Sequence, residues 1–149
     1  MTDATTNLGE ATFTRVVAAP RELVFRCMIT PEHLAHFWGP VGVTTPLDTI
    51  TIDPRPGGVF STTMVNDADG AEYPTHAVFI EVIEPERLVW TEPDVEGGMT
   101  TTSTFTDLGD GTTEVFIHQT NVPEMYRTPE AQAGMLGSFD RFDAYLASL

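Results

Sequence analysis

The N-terminal part of the chain shows one strand-like pattern followed by two helix-like patterns. β-Branched and aromatic residues over 12–17 are typical of a strand. Pro20 should end this strand, and it suits the first turn of a following helix. Apolar residues then recur at helical spacing and predict a first helix: Leu23, Val24, Cys27 and Met28. Thr30 is a favoured N-cap residue and Pro31 suits a first helical turn. We therefore predict a second short helix, carrying His33, Leu34 and Phe37.

The middle of the chain consists of threonine-rich, β-branched segments separated by turn residues, a pattern typical of an antiparallel meander. The predicted strands lie near 47–53, 58–65, 73–83, 87–92, 100–107 and 112–120. Two connections are predicted hairpin turns, because Asp-Gly pairs accept the positive φ angles of tight turns: Asp67-Ala68-Asp69-Gly70 and Gly109-Asp110-Gly111. Pro85 marks a third turn.

The C-terminal segment 129–149 returns to helical spacing and predicts one long helix. Its apolar face consists of Met135, Phe139, Phe142 and Leu146, which should pack on the sheet. Residues 1–10 are polar and lack periodicity, so we expect a disordered N-terminal tail. The length of 149 residues suits one core and is too short for two ordinary domains, so 11–149 should form a single domain.

Charge and composition exclude several classes of function. The chain has 22 acidic and 7 basic residues, a formal net charge of -15, and no lysine. The absence of lysine excludes a Schiff-base lysine, a pyridoxal-phosphate anchor and a P-loop. The negative charge would repel nucleic acids and anionic membranes. Cys27 has no second cysteine to pair with, and we find no signal peptide or membrane-spanning run, so we expect a cytoplasmic protein.

Six local patterns occur together along nearly the whole chain. They are Ala19-Pro20-Arg21-Glu22-Leu23-Val24-Phe25, Pro31-Glu32-His33-Leu34, Phe37-Trp38-Gly39-Pro40, Asp53-Pro54-Arg55-Pro56-Gly57-Gly58, Pro85-Glu86-Arg87-Leu88-Val89-Trp90-Thr91 and Ser138-Phe139-Asp140-Arg141-Phe142. Together they resemble the bacterial family related to the activator of the heat-shock-protein-ninety ATPase. That family lies within the START-like (SRPBCC) superfamily, which also holds the birch-pollen allergen and polyketide cyclases.

The resemblance implies an α+β helix-grip fold. In this fold a curved antiparallel sheet of about seven strands surrounds a long C-terminal helix, and two short helices follow the first strand. Two positions depart from the family pattern. Met135 stands where many relatives have tryptophan, and Gln119 stands where histidine is common. Because both positions are expected to face the cavity, the ligand should differ from those of the relatives.

A sheet that grips a helix encloses a space, and the alternation of side chains along each strand decides which residues face it. We predict a ligand cavity lined by Trp38, Phe60, Thr62, Met64, Trp90, Ser103, Phe105, Gln119, Met135, Phe139 and Phe142. The alternative for each apolar member is ordinary core packing. The polar members, Thr62, Ser103 and Gln119, each need a hydrogen-bond partner, which a ligand or ordered water could supply.

The histidines give candidate chemistry that the sequence supports less well. His33 and His36 lie three residues apart and could share a metal, but no third ligand is evident and a solvated helix face is the better interpretation. His76 lies beside Tyr73 and could act as a general base, although a cross-strand surface histidine is favoured. His118 is out of phase with its apolar neighbours and should lie on the convex side.

The acidic clusters and the candidate nucleophiles also lack the partners that catalysis or metal binding would require. Glu81, Glu84 and Glu86 surround a predicted turn and should be solvated, while Asp67 and Asp69 suit turn chemistry rather than a calcium loop. Ser138 lacks a nucleophile elbow, and Cys27 has no histidine partner in a motif, so neither is assigned as a nucleophile. We therefore assign no catalytic residue, no metal and no cofactor.

The prediction from the sequence is a domain that binds a small hydrophobic or aromatic molecule, polyketide-like or lipid-like, in the cavity. One alternative is an enzyme of the polyketide-cyclase type, which needs a polar pair inside the cavity drawn from His76, Tyr73 and Gln119. The other is a protein-binding module that acts as a chaperone ATPase co-factor through its acidic surface. Ligand identity and oligomeric state stay open, and a homodimer is among the options.

Overall fold

The computed structural model of the protein describes residues 9–95 and 97–149. The predicted tail 1–10 therefore lies mostly outside the described residues. The elements are β1 (Ala11–Val17), α1 (Arg21–Ile29), α2 (Pro31–Leu34), β2 (Val43–Thr44), β3 (Thr51–Ile52), β4 (Val59–Asn66), β5 (Glu72–Ile83), β6 (Arg87–Glu92), β7 (Met99–Asp107), β8 (Thr113–Thr120) and α3 (Pro129–Ala147). Two short 3₁₀ turns, Leu47–Thr49 and Glu124–Tyr126, complete the described elements.

One antiparallel sheet contains all the described strands. Its order is β1-β8-β7-β6-β5-β4-β2, and β3 pairs with β4 beside β2. A register shift between Phe79 and Glu81 marks a bulge in β5, and such a bulge bends a strand. The sheet curves around α3, and α1 and α2 follow β1 as expected. The predicted α+β helix-grip fold is confirmed, with eight strands instead of about seven.

The predicted strand over 47–53 is wrong in its first half. Residues Leu47–Thr49 form a 3₁₀ turn, and only Thr51–Ile52 pair with the sheet. Local hydrogen bonds explain the difference, since both the amide and the hydroxyl of Thr49 donate to the carbonyl oxygen of Pro46. The β-branched residues of this segment match the pattern of a strand, but only two of them pair with the sheet.

The second helix is shorter than predicted. It ends at Leu34, so Phe37 lies beyond it, in the turns that follow. Thr30 occupies the N-cap position with extended backbone, but its side chain makes no cap. Its hydroxyl instead donates to the carbonyl oxygen of Arg26 at 2.6 Å, which satisfies the end of α1 rather than the start of α2.

The three predicted turns between strands are confirmed. In the β4–β5 hairpin, Gly70 has a φ of 73°, and the carboxylate of Asp69 accepts a bond from the amide of Ala71 at 2.9 Å. The β7–β8 hairpin closes through the amide of Leu108 and the carbonyl of Thr112. Pro85 lies in the turn between β5 and β6.

α3 is the element that covers the concave face of the sheet. The hydroxyl of Thr128 accepts a bond from the amide of Ala131 at 3.2 Å, and Pro129 begins the helix. Phe139, Phe142 and Leu146 are buried in the core, and Met135 is partly buried against it. The predicted apolar stripe is therefore confirmed, and it leaves a space at the end of the helix nearer its N-terminus.

Candidate functional site

A cavity of about 120 Å³ lies between the concave face of the sheet and α3. Its wall is mostly apolar and aromatic, with a few polar groups, and it is partly open to solvent. The lining residues are Met28, Phe37, Trp38, Trp90, Glu92, Thr101, Ser103, Ile117, Gln119, Met135, Ser138, Phe139 and Phe142. An apolar concavity with a few convergent polar groups is the common form of a small-molecule site.

The structure brings seven of the eleven predicted residues to this cavity. They are Trp38, Trp90, Ser103, Gln119, Met135, Phe139 and Phe142. The two tryptophans, one from the loop after α2 and one from β6, lie with their ring centroids 6.4 Å apart. Three members come from the apolar stripe of α3, and two from the concave face of β7 and β8. The role of these residues in binding a ligand stays a prediction.

Phe60 and Phe105 were predicted to line the cavity and do not. Phe60 stacks on Phe79, with ring centroids 5.5 Å apart, and meets Trp90 edge-on at 5.2 Å. Phe105 packs edge-to-face on Phe25 of α1 at 5.8 Å. Strand alternation placed both rings on the correct face, but neighbouring aromatic rings occupy the space in front of them. Their role is core packing.

Thr62 and Met64 also lie outside the lining. The hydroxyl of Thr62 is 2.9 Å from the hydroxyl of Thr75 on the neighbouring strand, so its hydrogen-bond requirement is met inside the sheet. Met64 fills the space beside the loop after α2, since a Cβ atom added at Gly39 would lie 3.1 Å from its sulfur. Neither side chain needs a ligand to complete its environment.

Six lining residues were missed by the predicted set: Met28, Phe37, Glu92, Thr101, Ile117 and Ser138. Alternation along β7 and β8 already puts Thr101 beside Ser103 and Ile117 beside Gln119. The same rule finds Glu92, which lies two residues after Trp90 on β6. Met28 comes from α1 and Phe37 from the turns after α2, and the approach of these segments to the sheet has no signal in the strand pattern.

The polar groups of the sheet side are only partly satisfied by one another. The amide nitrogen of Gln119 donates to the hydroxyl of Thr101 at 3.3 Å, which leaves the Gln119 carbonyl oxygen as an acceptor. Ser103 is 4 % exposed, and its hydroxyl makes no hydrogen bond within the part of the chain that the structure describes. These two groups can therefore hydrogen-bond a molecule in the cavity.

Glu92 is the one carboxylate of the lining. It is the last residue of β6, is partly buried, and faces the cavity beside Trp90. Burial raises the pKa of the Glu92 carboxyl above its ordinary value, because a low-polarity environment disfavours the charged form. Within residues 9–95 and 97–149 the carboxylate makes no hydrogen bond or ion pair.

The loop that carries Trp38 is fixed to α3 by two side chains of the helix. The hydroxyl of Ser138 donates to the carbonyl oxygen of Phe37 at 3.0 Å. The guanidinium of Arg141 donates to the carbonyl oxygens of Gly39 at 2.8 Å and Val43 at 3.1 Å. Ser138 is therefore a positioning group of the cavity wall, and nothing in its contacts activates it as a nucleophile.

His33 and His36 pack against α3 instead of forming a solvated face or a metal pair. Nδ1 of His33 is 2.5 Å from the hydroxyl of Tyr145, and the ring of His36 stacks on the same tyrosine at 4.6 Å. The side of His36 away from the tyrosine is exposed. In the described residues no group of three or more His, Cys, Asp and Glu side chains could hold a metal ion.

His76 and Tyr73 lie at the surface, which agrees with the interpretation of His76 as a cross-strand surface histidine. Nδ1 of His76 is 3.0 Å from the hydroxyl of Ser61, its partner across β4 and β5, and Tyr73 is 49 % exposed. Neither side chain lines the cavity, so the polar pair required by the cyclase alternative is not formed by them. His118 lies on the convex side, where its Nε2 is 3.0 Å from the carboxylate of Glu10.

The remaining acidic and thiol groups have structural roles. Glu84 and Glu86 are exposed, whereas Glu81 lies in β5 and pairs with the guanidinium of Arg87 at 2.5 Å. The carboxylate of Asp67 accepts a bond from the hydroxyl of Thr44 in β2 at 2.6 Å, a contact between distant segments, whereas the predicted turn bond is made by Asp69. Cys27 is fully buried, and desolvation raises the pKa of its thiol to about 11. A thiol with this pKa is protonated at neutral pH and is a poor nucleophile.

None of the helices in the described part of the chain is both long enough and apolar enough to cross a bilayer.

The curved sheet, the gripping helix and the cavity between them define a START-like helix-grip domain. The family model described as "Activator of Hsp90 ATPase homolog 1-like protein" matches residues 18–147, and the chain belongs to that family. The resemblance found in the sequence is thus confirmed. Among curated proteins, none matches the sequence significantly.

Solved structures of bacterial proteins share the fold over nearly their whole length. A protein from Chromobacterium violaceum is 26 % identical, with a TM-score of 0.82, and the match covers 91 % of this chain and 95 % of that one. A protein from Nitrosomonas europaea is 24 % identical, with a TM-score of 0.82 and coverage of 94 % and 95 %. The AHSA1 protein from Silicibacter pomeroyi is 19 % identical, with a TM-score of 0.77 and coverage of 93 % and 97 %.

Proposed function

We propose that the protein binds a compact hydrophobic molecule, with one aromatic ring, in the cavity between the sheet and α3. The observation that carries the proposal is the cavity itself, about 120 Å³ of space surrounded by aromatic and apolar side chains. Protein interiors rarely leave such space open, because unfilled volume forfeits dispersion contacts and weakens the fold. A bound molecule restores those contacts.

The size of the cavity narrows the class of ligand. An engineered apolar cavity of about 150 Å³ in another protein takes up benzene, whereas drug-sized ligands occupy about 300 Å³ or more. A volume of about 120 Å³ therefore suits a single ring, with any small substituent directed toward the open side. A polyketide or a lipid chain, the larger ligands expected from the sequence, would have to extend through the open side.

The polar groups support a ligand with one or two hydrogen bonds. The carbonyl oxygen of Gln119 and the hydroxyl of Ser103 line the cavity, and neither is used up by the contacts described above. A hydroxyl or amine on the ring could meet these groups while the ring contacts Phe139 and Phe142. Apolar burial would supply most of the affinity, and the polar contacts would set the orientation.

The test uses toluene and ethylbenzene as probes in thermal-shift and calorimetric titrations. Both should raise the melting temperature, because a ligand that binds only the native state stabilises it by mass action. Met135→Trp should abolish the effect by filling the cavity with an indole. Leu136→Trp is the matched control, because Leu136 is the neighbouring residue of α3 and is 47 % exposed. It should bind the probes as the wild type does.

Two results would contradict the proposal. The first is a wild-type melting temperature that neither probe changes at concentrations near their solubility. The second is a Met135→Trp variant that folds and binds both probes with unchanged affinity, since this would place the bound molecules elsewhere.

We also propose that the protein acts in the cytoplasm, in keeping with its single buried thiol.

Family membership gives a second candidate, a protein-binding role on a chaperone. The observation in its favour is the family description, which names an activator of the Hsp90 ATPase. Fold similarity alone does not transfer an activity between relatives. The direct test is the ATPase rate of a purified bacterial Hsp90 with and without this protein. An unchanged rate at saturating protein would exclude the activator role and leave the cavity proposal untouched.

A further inference from the structure

Glu92 places a carboxylate in the lining of the cavity, and it has no ion-pair partner among the described residues. The sheet register pairs Glu92 with Met99, so its side chain lies on the concave face beside Thr101, the next inward residue of β7. Trp90 precedes it on the same face of β6. A surface position would solvate this carboxylate fully, whereas here it is partly buried among apolar side chains. Burying a carboxylate without a partner costs free energy.

No cation of the described chain offsets this charge. The sequence has no lysine, and none of its seven arginines lines the cavity. Three arginines are engaged in ion pairs with other carboxylates: Arg15, Arg55 and Arg87. Arg141 points to the backbone carbonyls of the loop after α2. A positive partner for Glu92 would therefore have to come with the ligand.

We propose that the ligand of this cavity is a small aromatic amine, whose ring fills the apolar part and whose ammonium group binds the carboxylate of Glu92. This inference rests on the proposed function and specifies its ligand class. An ammonium donates up to three hydrogen bonds, and the carbonyl oxygen of Gln119 is a second acceptor in the lining of the same cavity. A ligand that carries a carboxylate would instead place a second negative charge beside that of Glu92.

Two further features favour a cation over an anion. The net charge of -15 gives the whole molecule a negative field, which concentrates cations near the opening and repels anions. Trp38 and Trp90 line the same cavity, and the faces of aromatic rings attract ammonium groups. Burial also raises the pKa of the Glu92 carboxyl, which an adjacent ammonium would lower again.

The test compares benzylamine with ethylbenzene, which has the same shape and carries a methyl group in place of the ammonium. Calorimetry at pH 7 measures both ligands on the wild type, Glu92→Gln and Glu86→Gln. Glu92→Gln should weaken benzylamine about tenfold or more and change ethylbenzene less than about twofold, as expected for loss of a hydrogen bond to a charged group. Glu86→Gln removes an equal charge from an exposed site and should leave both affinities unchanged.

The possible results separate this inference from the proposed function. Ethylbenzene binding that persists while Glu92→Gln leaves benzylamine affinity unchanged would overturn the amine inference alone. Equal weakening of benzylamine by both variants would also overturn it, because the cause would then be the general field. Failure of the wild type to bind either ligand would overturn both proposals. Benzoate provides a further test on the wild type alone. It should bind more weakly than ethylbenzene, because its carboxylate has the same charge as Glu92. Tighter binding of benzoate would contradict the inference.

Discussion

The guanidinium of Arg141 donates a hydrogen bond of 2.8 Å to the backbone carbonyl oxygen of Gly39, and so joins α3 to the loop that carries Trp38. The same nitrogen atom lies 3.1 Å from the carbonyl oxygen of Val43 and 3.2 Å from that of Pro40. Within the described residues no carboxylate pairs with this guanidinium. The two N–H groups of this nitrogen thus hold an irregular segment in place beside the cavity.

Arg141→Lys should lower the free energy of unfolding by about 1 to 3 kcal/mol, because an ammonium on a shorter, more flexible stem cannot reach the same carbonyl oxygens together. Toluene affinity should fall as well, since the Trp38 side of the cavity loosens. Urea denaturation and calorimetry measure the two effects. Arg26→Lys is the control, because Arg26 is exposed on α1, and it should change neither quantity. Equal, small effects in both variants would contradict the role assigned to Arg141.

Phe142→Ala should destabilise the protein by about 3 to 5 kcal/mol, the range for truncating a fully buried phenylalanine. Phe142 is 1 % exposed, and its ring centroid is 4.3 Å from that of Phe37. Leu136→Ala removes a large side chain from the exposed side of the same helix and should cost far less. Denaturant titration provides the measurement. A loss below about 1 kcal/mol for Phe142→Ala would show that the packing of α3 is assigned wrongly.

The fold was predictable because its signals are local and repeated. Alternation along the strands, the hairpin turns and the stripe of α3 each follow from the spacing of residue types, and the structure confirms them. The cavity was only partly predictable, because alternation gives the face of a side chain but not what stands in front of it. Phe60 and Phe105 face inward, yet Phe60 packs among the rings of Phe79, Trp90 and Trp38, and Phe25 covers Phe105.

Contacts between distant segments account for the other differences. Thr62 was expected to need a hydrogen-bond partner that a ligand or ordered water could supply, but its partner is Thr75 on the next strand, a pairing that depends on register. Glu92 has the inward parity of Trp90 but is absent from the predicted set, and charged residues are rarely buried in a core. Arg141 belongs to a recognised pattern, but its carbonyl partners lie about a hundred residues earlier in the chain and have no sequence signature.

Glu92→Gln should stabilise the protein at pH 7, with an advantage over the wild type that shrinks on acidification. Burial raises the native pKa of Glu92 above its ordinary value of 4.5, so the native state binds more protons than the unfolded state between the two values. Stability therefore falls as pH rises through that interval, and the full cost of the buried charge persists at neutral pH. Below about pH 4 both states hold the proton and the cost is absent.

Melting curves of Glu92→Gln and Glu86→Gln between pH 4 and pH 7 test this linkage. Glu86→Gln removes the same charge from an exposed position, so it serves as the control for the general repulsion among the carboxylates. An advantage of Glu92→Gln over the control that stays constant across this range would count against a raised native pKa. The same variant serves the ligand experiment, and greater stability of the free protein excludes misfolding as the cause of weaker amine binding.

The melting temperature should rise with sodium chloride from very low ionic strength to about 0.5 M. A net charge of -15 on 149 residues produces self-repulsion, and salt screens it over a Debye length of about 10 Å at 0.1 M. Salt also weakens the surface ion pairs, such as that of Arg15 with Asp143 at 2.6 Å. Exposed pairs contribute only about 0 to 1 kcal/mol each, so screening of the net charge should dominate. A flat or falling melting temperature would show that the ion pairs matter more.

Gln119→Leu should distinguish ligands that carry a hydrogen-bond donor from those that do not. The Gln119 amide nitrogen is 3.3 Å from the hydroxyl of Thr101, an arrangement that leaves the Gln119 carbonyl oxygen as an acceptor in the cavity. Leucine keeps the approximate size and removes this acceptor. Phenol should therefore lose about 1 to 3 kcal/mol of binding free energy, and toluene should be hardly affected.

Calorimetry with the two ligands measures the difference, and Gln132→Leu on the exposed side of α3 is the matched control. The control should bind phenol and toluene as the wild type does, because its side chain does not line the cavity. Equal weakening of both ligands by Gln119→Leu would mean that the substitution alters the shape of the cavity. Gln119 would then be a packing residue, and the orientation of the ligand would depend on Ser103 and Glu92 alone.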